Sequence, residues 1–494
     1  MDNMRSDARA WVLALALYLG GAAYAQGQAF VAYEVTGPGD PAPTDLEIQR
    51  LSLDGAVGWP TGAAAQVVAQ GAERELAPAA CPDGSGGAIV VYTQEFTTGE
   101  RQGDSDVVAQ RFDSAGRPVW NGGAEPVRIA ASPQLESRPV VLSDGSGGAF
   151  VVFEWTGPDG DTDLLGQRIS AQGNLLWSRG QPVPLAASEY PEHSAVLVPD
   201  GEGGFFVVCQ WDGPERDSDI MAQRVTRRGQ LLWNYGQQAV DVAASGHAER
   251  NPTAVANFAG ELLVFFELEY LSGDRTGNVD VAGQRISGYG EALWALGDPI
   301  MVGATDAWEG GPQAVSDGAG GAVVVFASRP MGAPEDADTN LLAQRLAPSG
   351  RPVWGEGSPV ALDAAPERAG RALGLATGDG GAIWVYELVT GAGDANIVAQ
   401  RLDGSGQPVW NGGQGPLAVA NTLWAERLEQ VVPDGAGGAM VLLTATSIEE
   451  ATRGDTDVRA VRLAADGTLP WPQPAVVAGG PGLRGHPFLT LVSN

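Results

Sequence analysis

A Gln-Arg pair recurs at regular spacing along the whole chain, and it limits the fold more than any other feature. It stands at Gln49, Gln110, Gln167, Gln223, Gln284, Gln344 and Gln400, each followed by Arg, and an eighth copy reads Val461-Arg462. Successive anchors lie 56 to 61 residues apart. A glycine follows each anchor after six residues, from Gly55 to Gly467, and a tryptophan after ten, from Trp59 to Trp471. Offsets held through eight copies mark a repeat architecture in which each unit needs its neighbours to bury its apolar faces.

One copy shows what the unit is. Pro139-Val140-Val141-Leu142 is followed by Asp144-Gly145-Ser146-Gly147-Gly148 and then Ala149-Phe150-Val151-Val152-Phe153, which reads as strand, tight turn, strand. A polar loop ending in Asp161-Thr162-Asp163 leads to a third strand, Leu164 to Ile169. After a turn at Gly173, a last extended segment runs from Leu175 through Leu185. No stretch after the N-terminal apolar run has sustained helical periodicity with caps. Glycine at 70 of 494 residues, about twice the roughly 7% of ordinary chains, suits so many turns.

The expected fold is all-β: a single closed eight-bladed β-propeller with four antiparallel strands per blade. The first unit begins at Gln26 to Tyr33 and lacks its first strand, and Pro487-Phe488-Leu489-Thr490-Leu491 supplies it, so the C-terminal strand completes the first blade and removes a sheet edge. A TIM barrel is excluded by the missing helices, and a pair of sandwiches is the remaining rival. Residues 1–25 read as a secretory signal peptide, because Arg5 and Arg9 precede an apolar run from Trp11 to Tyr18 and the small-residue site Ala23-Tyr24-Ala25. The propeller then spans 26–494, and the mature chain is expected to be secreted or periplasmic, without a membrane span, and monomeric.

These units resemble those of secreted bacterial propeller-repeat proteins, which read DGxGGAxVVW, then DxD, AQRL, G and W. The resemblance covers the chain after the signal segment and implies an exported propeller; it implies no particular chemistry.

Composition narrows the function. With 29 basic against 60 acidic residues the net charge is −31, which repels nucleic acid and anionic membranes. The sequence has no lysine, so a P-loop lysine and Schiff-base chemistry are absent. Three histidines, His193, His247 and His486, and two isolated cysteines, Cys81 and Cys209, do not make a zinc site, and the cysteines are expected to be buried free thiols. No GxSxG elbow occurs.

A residue repeated in every unit is scaffold before it is catalyst, since catalysis needs one asymmetric constellation. The repeated Arg is expected to be buried and paired, with the acid or amide four residues before the anchor as its partner: Asp45, Asp106, Asp163, Asp219, Asp280, Asn340, Asn396 or Asp457. The repeated Trp is expected to wedge between units. No cofactor is expected unless calcium binds, with Asp104 and Asp106, Asp161 and Asp163, or Asp217 and Asp219 as the start of its ligand set.

The ligand surface is expected where the second strand turns to the third and one unit crosses to the next. A recurring acid there (Glu75, Glu136, Glu192, Glu249, Glu309, Glu426) suggests a negative collar. Irregular members stand out: Trp155 and Trp211 end the second strand in two copies only, and Tyr190, Glu192 and His193 enter near Trp211 and Asp217. The functional expectation is a non-catalytic binding or scaffold module for a glycan or protein ligand. The alternatives are a glycan-active hydrolase or lyase and a multivalent lectin with inter-blade Arg, Glu and Trp sites.

Overall fold

The computed structural model describes residues 28–36, 44–59, 62, 65–214, 217–334, 337–363, 368–389, 395–422, 424–449, 452–480 and 482–492. The signal-peptide reading of residues 1–25 falls outside them. The described chain is all-β, and short 3-10 turns are its only helices.

Its strands group into eight four-stranded antiparallel units. In the third, Leu135–Ser143 pairs with Ala149–Thr156, which pairs with Thr162–Ile169, which pairs with the short outer strand Val183–Ala186. The fourth unit repeats this with Glu192–Pro199, Phe205–Asp212, Ser218–Val225 and Val240–Ala243. Six continuous sheets result among the described residues, because single parallel bridges, Ser105 to Leu135 and Ser218 to Ala248, join two pairs of units. In the first unit the innermost strand is C-terminal: Leu483–Val492 pairs with Gln28–Thr36, with Phe30 opposite Thr490.

Second strands such as Ala149 to Phe153 are buried at every position, as they must be when neighbouring units cover both faces. The innermost strands pack in succession, Arg74–Pro82 on Leu135–Ser143 and so on to Ala425–Pro433, then Leu483–Val492, which returns to Arg74–Pro82. Most of these strands carry a bulge, and an N–H in it or beside it donates to the unit before: Ala77 to Glu34 Oε1 (2.8 Å), Ser194 to Glu154 Oε1 (3.2 Å) and Leu428 to Glu387 Oε1 (2.8 Å).

The repeated side chains build one clamp. Within a unit, Gln110 Oε1 accepts the Trp120 N–H (3.0 Å) and so shapes the ten-residue turn between them. Arg111 Nη1 and Trp120 Nε1 both donate to the Ala171 carbonyl of the next unit, at 2.8 and 3.0 Å. The same pairing joins Arg285 and Trp294 to Pro348 O, and Arg345 and Trp354 to Gly404 O. Arg462 and Trp471 of the eighth unit reach Leu53 O of the first. Each indole lies under the next unit's turn glycine, where a Cβ on Gly173 would sit 3.0 Å from Trp120 and one on Gly55 3.1 Å from Trp471. The tryptophans therefore wedge between units, as expected.

The arginine partner differs from the sequence-based expectation. Seven repeat arginines, 9% to 27% exposed at the side chain, pair with the carboxylate of their own unit's Gly turn: Arg111 with Asp83, Arg168 with Asp144, Arg224 with Asp200, Arg345 with Asp317, Arg401 with Asp379, Arg462 with Asp434, and Arg285 with Glu261. The acid four before the anchor is five before the Arg. Five residues of strand span about 17 Å and reverse the face, so the two side chains cannot meet.

No helix among the described residues is long and apolar enough to cross a membrane. Cys81 and Cys209 are free and buried, and burial pushes both thiols up from their ordinary values.

Deleting residues 483–494 should remove the partner of Gln28–Thr36 and lower the urea midpoint of the whole chain, not of one unit. Replacing Trp177 by Ala should cost about 3–5 kcal/mol in equilibrium unfolding, the range for a buried aromatic that leaves a cavity.

Candidate functional site

Strand pairing in the fourth unit sets Glu192 opposite Trp211 and Trp211 opposite Asp219, so three side chains form one row across three strands on one face. Two positions further along, Met221 stands opposite Asp241 on the outer strand. The crossing loop brings Ser188, Glu189 and Tyr190 over this row and encloses a cavity of about 390 Å³. Tyr190 meets Trp211 edge-on, with ring centroids 5.2 Å apart, and Trp211 Nε1 donates to Ser188 Oγ at 2.9 Å. Gly213 permits this pose, since a Cβ there would lie 2.3 Å from the Trp211 ring.

Two acids of the cavity are poised to hold protons near neutrality. Burial, opposed by Ser188 and reinforced by the charges of Asp163 and Asp161, raises Glu192 to about 7. Burial and the charges of Asp217 and Asp241 raise Asp219 to about 6. Glu192 is hydrogen-bonded by Ser188 while its Oε2 is buried without a hydrogen-bond partner among the described residues, and Asp219 shares a carboxyl–carboxyl hydrogen bond with Glu249 of the fifth unit.

The structure brings Tyr190, Glu192 and Trp211 together and leaves three sequence candidates elsewhere. Trp155 belongs to the third unit and donates to Ser132 Oγ at 3.2 Å. His193, next to Glu192 in a strand, points to the other face and bonds Asp212 (2.9 Å) and Ser194 (2.8 Å). Asp217 does not line the cavity and acts on Asp219 through its charge; Glu215 and Arg216 before it lie outside the described residues. Asp219, Met221 and Asp241 take part instead. Asp219 was legible as a repeat acid and as a calcium candidate with Asp217, and Asp241 breaks the repeat at a position that its own strand does not distinguish.

The recurring glutamates are not an exposed collar. Glu75, Glu136, Glu192, Glu249, Glu309 and Glu426 are at most 2% exposed. A Ser or Thr four residues earlier holds most of them: Ser245 Oγ bonds Glu249 at 2.5 Å, and Ser132, Thr305 and Thr422 bond Glu136, Glu309 and Glu426. That fixed Ser/Thr-x-x-x-Glu spacing was the signal available in the sequence.

The calcium candidates are placed differently from one another. Between Asp104 and Asp106 stands the Arg101 guanidinium, bonded to both, so this pair already has its cation. Asp163 faces Asp161 and Asp159, and burial followed by their charge raises it to about 6. Among the described residues no three His, Cys, Asp or Glu side chains converge to hold a metal ion.

No protein-family model and no curated protein matches this chain. Among solved structures, an ulvan lyase of a polysaccharide lyase family, bound to -[GlcA(1-4)Rha3S]-, is 12% identical over 80% of this chain and 95% of its own, with a TM-score of 0.48. A puromycin hydrolase is 16% identical over 84% of this chain and 57% of its own, with a TM-score of 0.46. The β-propeller domain of the Trilobed protease from Pyrococcus furiosus is 11% identical over 83% of this chain and 99% of its own, with a TM-score of 0.44.

Glu75, Glu136, Glu192 and Glu249 all rise from 4.5 to about 7, with burial as the largest cause and an aspartate of the preceding unit adding to it. The folded chain therefore keeps protons that the unfolded chain has released, so stability from these groups is complete below the unfolded value and is lost as pH rises through the folded one. Asp83 and Asp144 act oppositely: burial alone would raise them, but turn N–H groups and Arg111 or Arg168 hold them below the ordinary range, and their contribution is lost only in acid. The urea midpoint should peak near about pH 5 and fall towards about pH 8, and Glu136→Gln should flatten the fall. A midpoint that climbs over that interval would refute this assignment.

Proposed function

We propose that the eight units close into a single eight-bladed propeller, and that the exported chain takes a glycan into the cavity on its fourth blade. The carrying observation is the row Glu192–Trp211–Asp219, in which two carboxyls raised towards neutrality flank an aromatic ring. Trp211 with Tyr190 offers apolar surface for a sugar ring, and the carboxyls offer acceptors for its hydroxyls. A carboxyl that titrates near the working pH is also suited to give a proton to a leaving oxygen, or take one from carbon, with the second as its counterpart. This reading makes the chain glycan-active, as a hydrolase or lyase.

A non-catalytic binding module is the second reading, and one observation favours it. Glu75, Glu136 and Glu249 share the raised pKa of Glu192, so the shift is a property of the repeat as well as of this cavity.

Trp211→Ala should weaken binding of any oligosaccharide found by a broad screen at least about tenfold, while costing no more than about 1–2 kcal/mol of stability for a half-buried ring. Glu192→Gln should abolish turnover and spare binding if the chain is an enzyme. A screen in which oligosaccharides bind but none is turned over selects the binding module, and unaltered binding by Trp211→Ala removes the site from this cavity.

A further inference from the structure

The eighth unit repeats the register of the fourth, with Glu and Asp at the ends of the row, Ala445 in place of Trp211 and a guanidinium on the Asp. Glu426 stands opposite Ala445 and Ala445 opposite Asp457, as Glu192, Trp211 and Asp219 do. The crossing loops match as well: Thr422 Oγ1 accepts the Trp424 N–H at 3.1 Å, and Ser188 Oγ accepts the Tyr190 N–H at 3.2 Å. Two residues after Asp457 comes Arg459, whose guanidinium lies 4.3 Å from the centre of the Trp424 ring and bonds Asp457 at 3.0 Å. Two residues after Asp219 comes Met221, which is uncharged and lines the open cavity.

Two other units bring a guanidinium to the equivalent aspartate by a different route. In the second, Arg101 lies 3.9 Å from the Phe96 ring centre and bonds Asp106 at 3.0 Å. In the fifth, Arg275 lies 4.7 Å from the Tyr270 ring centre and bonds Asp280 at 2.6 Å. Three units thus satisfy a buried aspartate with a cation over an aromatic ring, an arrangement that gains from both the carboxylate charge and the ring quadrupole.

Among the described residues the fourth unit has the aromatic rings and the acids without the cation. Its cavity is lined by Glu189, Glu192, Asp219 and Asp241, and by no basic side chain among the described residues. Asp241 has no acidic counterpart in the eighth unit, where Val476 stands opposite Arg459. Glu192 is 1% exposed, and its Oε2 has no hydrogen-bond partner among the described residues.

We propose that this cavity receives a positively charged guanidinium or ammonium group of the ligand, seated where Arg459 sits in the eighth unit. The inference rests on the reading of this cavity as the ligand site and deepens it: the glycan it takes is an amine-bearing saccharide. Uronate and sulfate sugars are disfavoured by an all-acidic lining and by a net charge of −31.

The test is calorimetric titration of the full chain with a glucosamine tetramer, its N-acetylated counterpart, a uronate tetramer and L-arginine amide. The glucosamine tetramer should bind at least about tenfold more tightly than the N-acetylated one, and raising salt from about 50 to about 500 mM should weaken it severalfold. Met221→Arg supplies the internal cation of the eighth unit and should abolish binding of the glucosamine tetramer. Exposed Asp241→Asn should weaken it severalfold without affecting folding. Equal affinity for the two tetramers would overturn the cation inference and leave the glycan reading standing. L-arginine amide binding without either tetramer would keep the cation site and overturn the glycan reading in favour of a cationic peptide. No binding by any probe, or undiminished binding by Met221→Arg, would overturn the cation site.

Discussion

The structure depends on a backbone carbonyl shared between two donors from the unit before. Arg111 and Trp120 meet at Ala171 O, and the arrangement recurs around the chain to Arg462 and Trp471 at Leu53 O. A propeller-type unit has little cohesion alone, because both faces of its sheet are apolar and need cover. The clamp sets the distance and tilt at which the next unit supplies that cover: the indole fills the wedge, its N–H holds the turn, and the guanidinium ties the turn back to a carboxylate. An Arg at this depth would be destabilising without its acid, and the acid without its Arg. Their co-occurrence in seven units is a physical requirement.

Two irregular units show that the requirement is for charge at a place and not for a motif. In the fifth, Asn257 stands where other units have the turn aspartate, and Glu261, four residues on at the usual glycine, supplies the carboxylate to Arg285 at 2.9 Å. In the seventh, Thr377 takes the aspartate position and Asp379, two residues later, reaches Arg401 at 2.9 Å. The acid moves along the turn while the ion pair stays.

A second set of acids behaves differently. Buried glutamates and strand-entry aspartates of adjoining units meet away from the clamp, and each junction has its own remedy. Arg101, Arg275 and Arg459 neutralise three of them, while Glu192 and Asp219 are left with raised proton affinity beside an open cavity. That junction differs from the other three in that no basic side chain among the described residues lines it.

Strand number, strand order, the wedging tryptophans and the contribution of Leu483–Val492 to the first unit were legible in the sequence, because turns and period-two strands are short-range features repeated many times. The wrong arginine partner came from reading along the strand: Asp106 and Arg111 are near in sequence, yet Asp83, across the hairpin, is near in space. Burial of the recurring glutamates also escaped, since an acid at a crossing looks solvent-facing until the preceding unit covers it. By itself the sequence determined a repeated β unit with its internal turn chemistry and a strongly negative net charge. Only the tertiary structure decided which carboxylate each arginine takes, that Arg459 pairs with Asp457 over the Trp424 ring, and that Met221 lines an open cavity, because each depends on what the neighbouring strand and the crossing loop place opposite the same register.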